Sequence, residues 1–195
     1  MFLEGYARLL LFAHAIVSCA LVASATHLVV WAWPRQGRYF AKAKGCARFA
    51  KIIFALYCAN MALGLLIYPT YRVQVREELL DRPRQVAAIS DREFTARTET
   101  LAAYGRQDVR SPHDPMSAVA NADKTVKWFD VKEHWVALGL PLSLFVMVAI
   151  GRRRKSFDVA DAFSRWTFAA VIVMTSIVWL AALVGLATAS AKAVG

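Results

Sequence analysis

Histidines are the residues of this sequence best suited to chemistry, because three of the four lie in or at long apolar segments. His14 and His27 belong to the first such segment, and His134 begins the third, in the stretch WFDVKEHWVALG. Ionisable groups inside a membrane are costly and often functional, and a neutral imidazole can bind a metal or a haem iron. His113, in SPHDP, is instead typical of a solvated loop.

The spacing of these histidines decides which of them can act together. His14 and His27 are 13 residues apart in one helical segment, which separates them by about 20 Å along the axis and turns them in different directions. His14 and His134 lie near the same end of their two segments. We therefore expect His14 and His134 to supply the two axial nitrogens of one b-type haem.

A haem also needs a flat slot and cations for its propionates. Small residues recur near the level of His14 on every segment: Ala13, Ala15, Gly64, Gly139 and Gly185. Arg8, Arg72 and Lys132 are expected just outside that level, where the propionates would emerge. Ordinary helix packing also uses small residues, so small residues alone do not indicate a haem, and the histidines are the main argument for one. The predicted cofactor-binding residues are His14, His134, Arg8, Gly64, Gly139 and Lys132.

Two further residues have simpler interpretations than cofactor chemistry. His27 has no histidine at its own level, and hydrogen bonding to Thr26, Asn60 or water explains it more simply than a second haem with Met147 or Met174 as ligand. Glu133 could orient His134 or accept a proton from a quinol, which makes a quinone an additional candidate cofactor. A solvated Lys–Glu pair is the simpler alternative.

The elements that must position these residues are membrane helices. The chain has 195 residues, of which 58% are hydrophobic, and the ranges 9–33, 52–71, 134–150 and 166–191 contain no charged residue. About 20 apolar residues span a bilayer. The pattern predicts a single all-α domain over residues 1–195: an integral membrane, antiparallel four-helix bundle with transmembrane helices at about 9–33, 52–69, 134–150 and 166–190. The first range is too long for the apolar core of a signal peptide.

The connection 70–133 is predicted to form a partly helical cap rather than a flexible linker. Pro83 suits a first helical turn, Ser90 with Glu93 fits a capping box, and Gly105 is a plausible stop. Residues 118–133 are predicted to be helical and to run directly into the third transmembrane helix. That continuity would place His134 inside a helix rather than at a frayed end.

The net charge of +10 is explained by topology, without nucleic acid. Basic residues concentrate in the short connections 34–51 and 151–165, and short basic loops are cytoplasmic by the positive-inside rule. The termini and the long loop are then outside, in a bacterial inner membrane. None of the three cysteines lies in the long loop, which excludes a thiol oxidase with exposed cysteine pairs.

A helix with histidines 13 residues apart resembles the ligand helices of membrane diheme cytochromes b, although no second helix here carries a matching pair. The resemblance implies electron transfer between a quinol pool and another carrier, and applies only to His14 and His134. The expected function is a haem-binding electron-transfer subunit that meets lipid and other membrane subunits or a periplasmic electron carrier. A cofactor-free accessory subunit is the alternative, and a protein that handles copper or another metal is the third.

Overall fold

The computed structural model describes residues 6–34, 39–40, 43–73, 82–106, 115–152 and 160–192. It contains five helices: α1 (Ala7–Ala32), α2 (Ala43–Thr70), α3 (Pro83–Ala103), α4 (Pro115–Arg152) and α5 (Ala162–Lys192). No strand occurs among these residues. The predicted all-α class is therefore confirmed.

Four of the helices are long and apolar enough to cross a membrane: Ala7–Ala32, Ala43–Pro69, Met116–Arg152 and Ala162–Ala187. They overlap the four segments predicted from the sequence, and each begins earlier than hydropathy indicated. The α2 helix starts among basic residues such as Lys44 and Arg48, because charge does not prevent helix formation at a helix end. The α5 helix starts at Ala162 because Asp161 precedes it as a cap, accepting hydrogen bonds from the backbone N–H and the hydroxyl of Ser164 at 3.2 and 2.8 Å.

The chain divides into two compact units, of which unit 1 comprises Met1–Ile67 and Val131–Gly185. In this unit each long helix directs every third or fourth residue toward its neighbours. These residues lie along one side of the helix, and we call this line of residues its stripe. The side chains on these stripes form one buried cluster that we call the packed half of unit 1: Leu21, Ala25, Leu28, Ala32, Phe40, Cys46, Ala47, Ala50, Ile53, Tyr57, Val146, Ile150, Val171, Met174 and Val178.

The remainder of unit 1, residues 6–20, 58–67, 131–143 and 179–185, forms what we call the polar half. Its described residues include only three that are buried, namely Gly139, Ser143 and Val184. The stripes continue through it, but polar residues occupy several of their positions. The two halves of unit 1 therefore differ in how tightly they are packed.

Unit 2 comprises Tyr68–Asp130 and Leu186–Gly195, and α3 is the one helix that lies wholly within its described residues. Pro83 is at the start of α3, as predicted, and Gly105 ends it with φ +65°. The N–H groups of Gly105 and Arg106 donate to the carbonyls of Ala102 and Leu101, each at 2.9 Å, which is the Schellman arrangement.

The capping box predicted at Ser90 is wrong. Ser90 lies in the middle of α3, because Pro83 had already begun the helix two turns earlier. The prediction that residues 118–133 are helical and continue into the third span is confirmed, since α4 is unbroken from Pro115 to Arg152. His134 therefore lies within a continuous helix.

Candidate functional site

The polar half contains a cluster of polar side chains on stripe positions of its helices. His14 continues the stripe of Leu21 and Leu28 on α1, and Asn60 continues that of Ile53 and Tyr57 on α2. On α4, Lys132 lies one turn before Val136 and two turns before Gly139, which both occupy the stripe. We call His14, Ser18, Asn60 and Lys132 the His14 cluster.

His14 is the centre of this cluster. A Cβ placed on Gly64 would lie 3.7 Å from His14 Cε1, so the ring lies against the backbone of α2. The backbone of Asn60 is within hydrogen-bonding reach of the imidazole, and Lys132 acts on it electrostatically. Its Nδ1 is buried and has no hydrogen-bond partner.

A hydrogen bond between helices supports the cluster from one side. The Ser18 hydroxyl donates to Oδ1 of Asn60 at 2.8 Å, which connects α1 to α2 one turn from His14. In a membrane such interhelical hydrogen bonds contribute about 0.6 kcal/mol on average. The position of Asn60 is thereby held by a side chain of the same helix that carries His14.

Lys132, expected from the sequence just outside the level of His14, lies on the inward side of α4. Its Nζ would be 3.2 Å from a Cβ added to Gly185 of α5, so the absence of a side chain at Gly185 makes room for the lysine. Lys132 also interacts electrostatically with the neighbouring Glu133. Gly64 and Gly185 thus lie against the two longest polar side chains of the cluster.

His134 does not face this cluster. It is exposed, and it follows Lys132 by two residues, which is about 200° of rotation around an α-helix. Its neighbours at helical spacing on the same face, Val131 and Leu138, are exposed by 39% and 61%. The structure therefore brings Lys132, and not His134, to His14, and shared haem ligation by the two histidines stays a prediction.

Gly139 was predicted to leave room for a haem ring, but a tyrosine uses that room. A Cβ on Gly139 would collide with the phenol of Tyr57, whose hydroxyl donates to the carbonyl of Val136 at 3.1 Å. Tyr57 is only 1% exposed. Sequence reasoning missed this residue, although a tyrosine inside an apolar segment is a signal for a buried hydroxyl that needs an acceptor.

His27 and Arg8 lie apart from the cluster. The His27 ring packs against Trp31 and Phe49 with centroid distances of 4.7 and 4.8 Å, which differs from the expected hydrogen bonds to Thr26 or Asn60. Thr26 instead donates to the Val22 carbonyl and accepts from the indole N–H of Trp179. Arg8 is exposed.

Within the described residues, no group of three or more His, Cys, Asp or Glu side chains is placed to hold a metal ion. The three cysteines are free thiols, of which Cys46 is buried.

Comparisons of the chain with known protein families, with curated proteins and with solved structures found no match. The function must therefore be argued from the geometry alone.

Proposed function

We propose that the protein is a multi-pass membrane protein whose four long apolar helices cross the bilayer antiparallel to one another. Each has at least 26 residues, which at about 1.5 Å per residue exceeds the roughly 30 Å hydrocarbon core. Large apolar side chains on these helices are exposed, including Leu9 at 63% and Leu183 at 57%, and suit contact with lipid. The basic connections 34–51 and 151–165 then lie in the cytoplasm of a bacterium, with residues 68–130 outside.

Within that membrane the protein serves as an accessory subunit of a larger complex. The observation that supports this role is how little unit 2 buries. Among its described side chains only Ala122 and Val126 are buried, at 8% exposure each, whereas Phe94, Tyr104 and Trp128 are exposed by 38%, 78% and 54%. A segment of this length normally needs a core of its own, and exposed large apolar groups mark interaction sites.

The partner is another protein subunit rather than the lipid surface. Residues 70–133 carry eleven basic and eleven acidic side chains, so the segment has no net charge to attract it to anionic headgroups. Balanced charge around aromatic side chains is instead the composition of a protein interface, in which Tyr and Trp contribute much of the binding energy.

An electron-transfer subunit with one b-type haem is the second candidate, favoured by a single observation. The imidazole of His14 is directed toward the neighbouring helices with its Nδ1 buried, so the ring is placed where a haem between helices would lie. However, Tyr57 and Lys132 use the space beside Gly139 and Gly185, and His134 is exposed. A haem between His14 and His134 would need α4 to rotate, and the accessory role needs no such change.

Purification of the tagged protein from its native membranes in mild detergent tests both candidates. We expect it to migrate in a native gel with a partner subunit, and Tyr104→Ala combined with Trp128→Ala to release that partner. Leu183→Ala, an exposed position within a span, is the control that retains it.

Retention of the partner by the double variant would contradict the accessory role. A reduced-minus-oxidised α-band of a low-spin b haem, lost in both His14→Ala and His134→Ala but retained in His27→Ala, would establish the electron-transfer candidate instead.

A further inference from the structure

The His14 cluster contains a polar atom that its surroundings do not satisfy. His14 Nδ1 is, among the described residues, the only buried side-chain nitrogen or oxygen without a hydrogen-bond partner. Native structures satisfy nearly all such atoms, and an unsatisfied one costs about 1–3 kcal/mol. Other polar groups of unit 1 follow that rule: Ser18 bonds to Asn60, and Tyr57 to Val136. The exception points to a ligand that hydrogen-bonds to His14.

Charge indicates which kind of ligand group would fit. Lys132 acts electrostatically on His14. The carboxylate that acts on Lys132 is that of the adjacent Glu133, and the uncharged ranges 9–33, 52–71, 134–150 and 166–191 contribute no Asp or Glu. An ammonium donates hydrogen bonds, and so does Nδ1 of His14 in the neutral tautomer that carries its proton there. The cluster is therefore suited to a group that accepts hydrogen bonds, such as a carbonyl oxygen.

Depth in the bilayer restricts the ligand further. His14 follows Arg8 by six residues on α1, so it lies about 9 Å further along the helix axis than the first cation. That places the imidazole below the level of phospholipid phosphates if Arg8 lies among them. The accepting group must then be uncharged and carried by a lipid-soluble molecule. Leu9, Phe12 and Ile16 on α1 are exposed by 63%, 64% and 54% and offer an apolar surface for its tail.

We propose that the His14 cluster binds the headgroup of a lipid-soluble quinone, with the imidazole of His14 hydrogen-bonded to one ring carbonyl. Lys132 supplies positive charge beside that oxygen, and Asn60, held by Ser18, fixes the ring from α2. The quinone reaches the site from the lipid along α1. This inference rests on the proposed membrane insertion of the four helices, but on neither the partner subunit nor a haem.

The test is the quinone content of the protein purified from native membranes, extracted with organic solvent and quantified by mass spectrometry per chain. We expect close to one quinone per wild-type chain and a loss of tenfold or more in His14→Ala. His14→Asn, whose amide can donate from near the position of Nδ1, should retain part of it, and Lys132→Gln should reduce it severalfold. The matched control is His134→Ala, which removes an exposed histidine and should retain the full content.

A second measurement tests quinone binding directly, in case detergent removes the quinone during purification. Wild type and His14→Ala are reconstituted in discs of neutral phospholipid and titrated with a short-chain ubiquinone analogue, while thermal unfolding verifies that the variant is folded. Tighter binding by wild type, at least tenfold, is expected. Equal binding would overturn the inference, and copurification of an anionic phospholipid in place of quinone from native membranes would identify that lipid as the ligand instead.

Failure of the inference can be distinguished from failure of the proposed membrane insertion. If alkaline carbonate extracts the protein from native membranes, the insertion itself is wrong. If the protein stays in the membrane and binds no quinone in either measurement, only the quinone site is wrong.

Discussion

The packed half and the polar half of unit 1 consist of the same four helices, yet they use their inward positions differently. In the packed half these positions hold apolar side chains such as Leu28 and Ile150, both fully buried. In the polar half they hold His14, Asn60 and Lys132, and Gly64 and Gly185 take the positions beside them. The helical spacing is continuous, so only the residue types change.

The difference indicates which part of unit 1 should contribute most to its stability. In lipid, helices gain little from the hydrophobic effect, because the acyl chains are as apolar as a leucine side chain, and association depends on close packing. Close packing is concentrated around Leu28, Ile150 and Met174, all at 0% exposure. The polar half can then hold groups that pack poorly, which is the usual compromise between stability and a binding site.

The largest effect should come from removing a side chain of the packed half. Ile150→Ala creates a cavity at a fully buried position, and such deletions cost about 2–5 kcal/mol in soluble cores. Since lipid does not penalise exposure of the side chain in the unfolded state, we expect the lower end of that range, about 2 kcal/mol. Thermal unfolding in detergent, followed by circular dichroism, measures the loss.

Leu183→Ala is the matched control, because Leu183 is 57% exposed on α5 in the polar half. We expect it to unfold at nearly the wild-type temperature. Equal destabilisation by the two variants would mean that the halves do not differ in packing.

A smaller difference in stability is expected between alanine substitutions at two glycines, one from each half. A Cβ at Gly45 would overlap the indole of Trp31, at 3.0 Å from its Cε3, whereas one at Gly64 would make only an ordinary contact with His14. Both alanines gain the same helix propensity, but Gly45→Ala must also displace a ring. We expect Gly45→Ala to be less stable than Gly64→Ala by about 1–3 kcal/mol, typical of overpacking. A Gly64→Ala variant that unfolds at a lower temperature than Gly45→Ala would contradict this prediction.

Much of the fold was accessible from the sequence, because long uncharged ranges and local caps are local signals. The four apolar helices, the end of α3 at Gly105 and the continuity of α4 were all predicted. The start of α2 was not, since a hydropathy pattern ends at the first charge whereas a helix continues through Lys44 and Arg48. Ser90 was misassigned because a capping box is a short pattern that also occurs inside helices.

The site was harder to predict from the sequence, since the direction of a side chain depends on which face of a helix is buried. His14 was singled out from the sequence as a haem ligand, which stays a prediction, and its ring lies against α2. Lys132 and His134 stand on opposite faces of one turn. Spacing alone could not decide which of the two faces inward when the helix begins far upstream at Pro115. The stripe of Val136, Gly139 and Ser143 carries that information, and extending it backwards leads to Lys132.

The smallest expected effect concerns the hydrogen bond between Ser18 and Asn60, which measures how firmly the polar half is held. A double-mutant cycle with Ser18→Ala, Asn60→Ala and both together isolates the coupling between the two side chains. We expect about 0.6 kcal/mol from thermal or denaturant unfolding in detergent, the average for interhelical hydrogen bonds in a membrane. A coupling as large as the cost of Ile150→Ala would mean that the polar half is held as strongly as the packed half, and the division between a stabilising half and a binding half would fail. A small coupling together with reduced quinone retention in Ser18→Ala would indicate that this hydrogen bond positions Asn60 for the ligand more than it stabilises the fold.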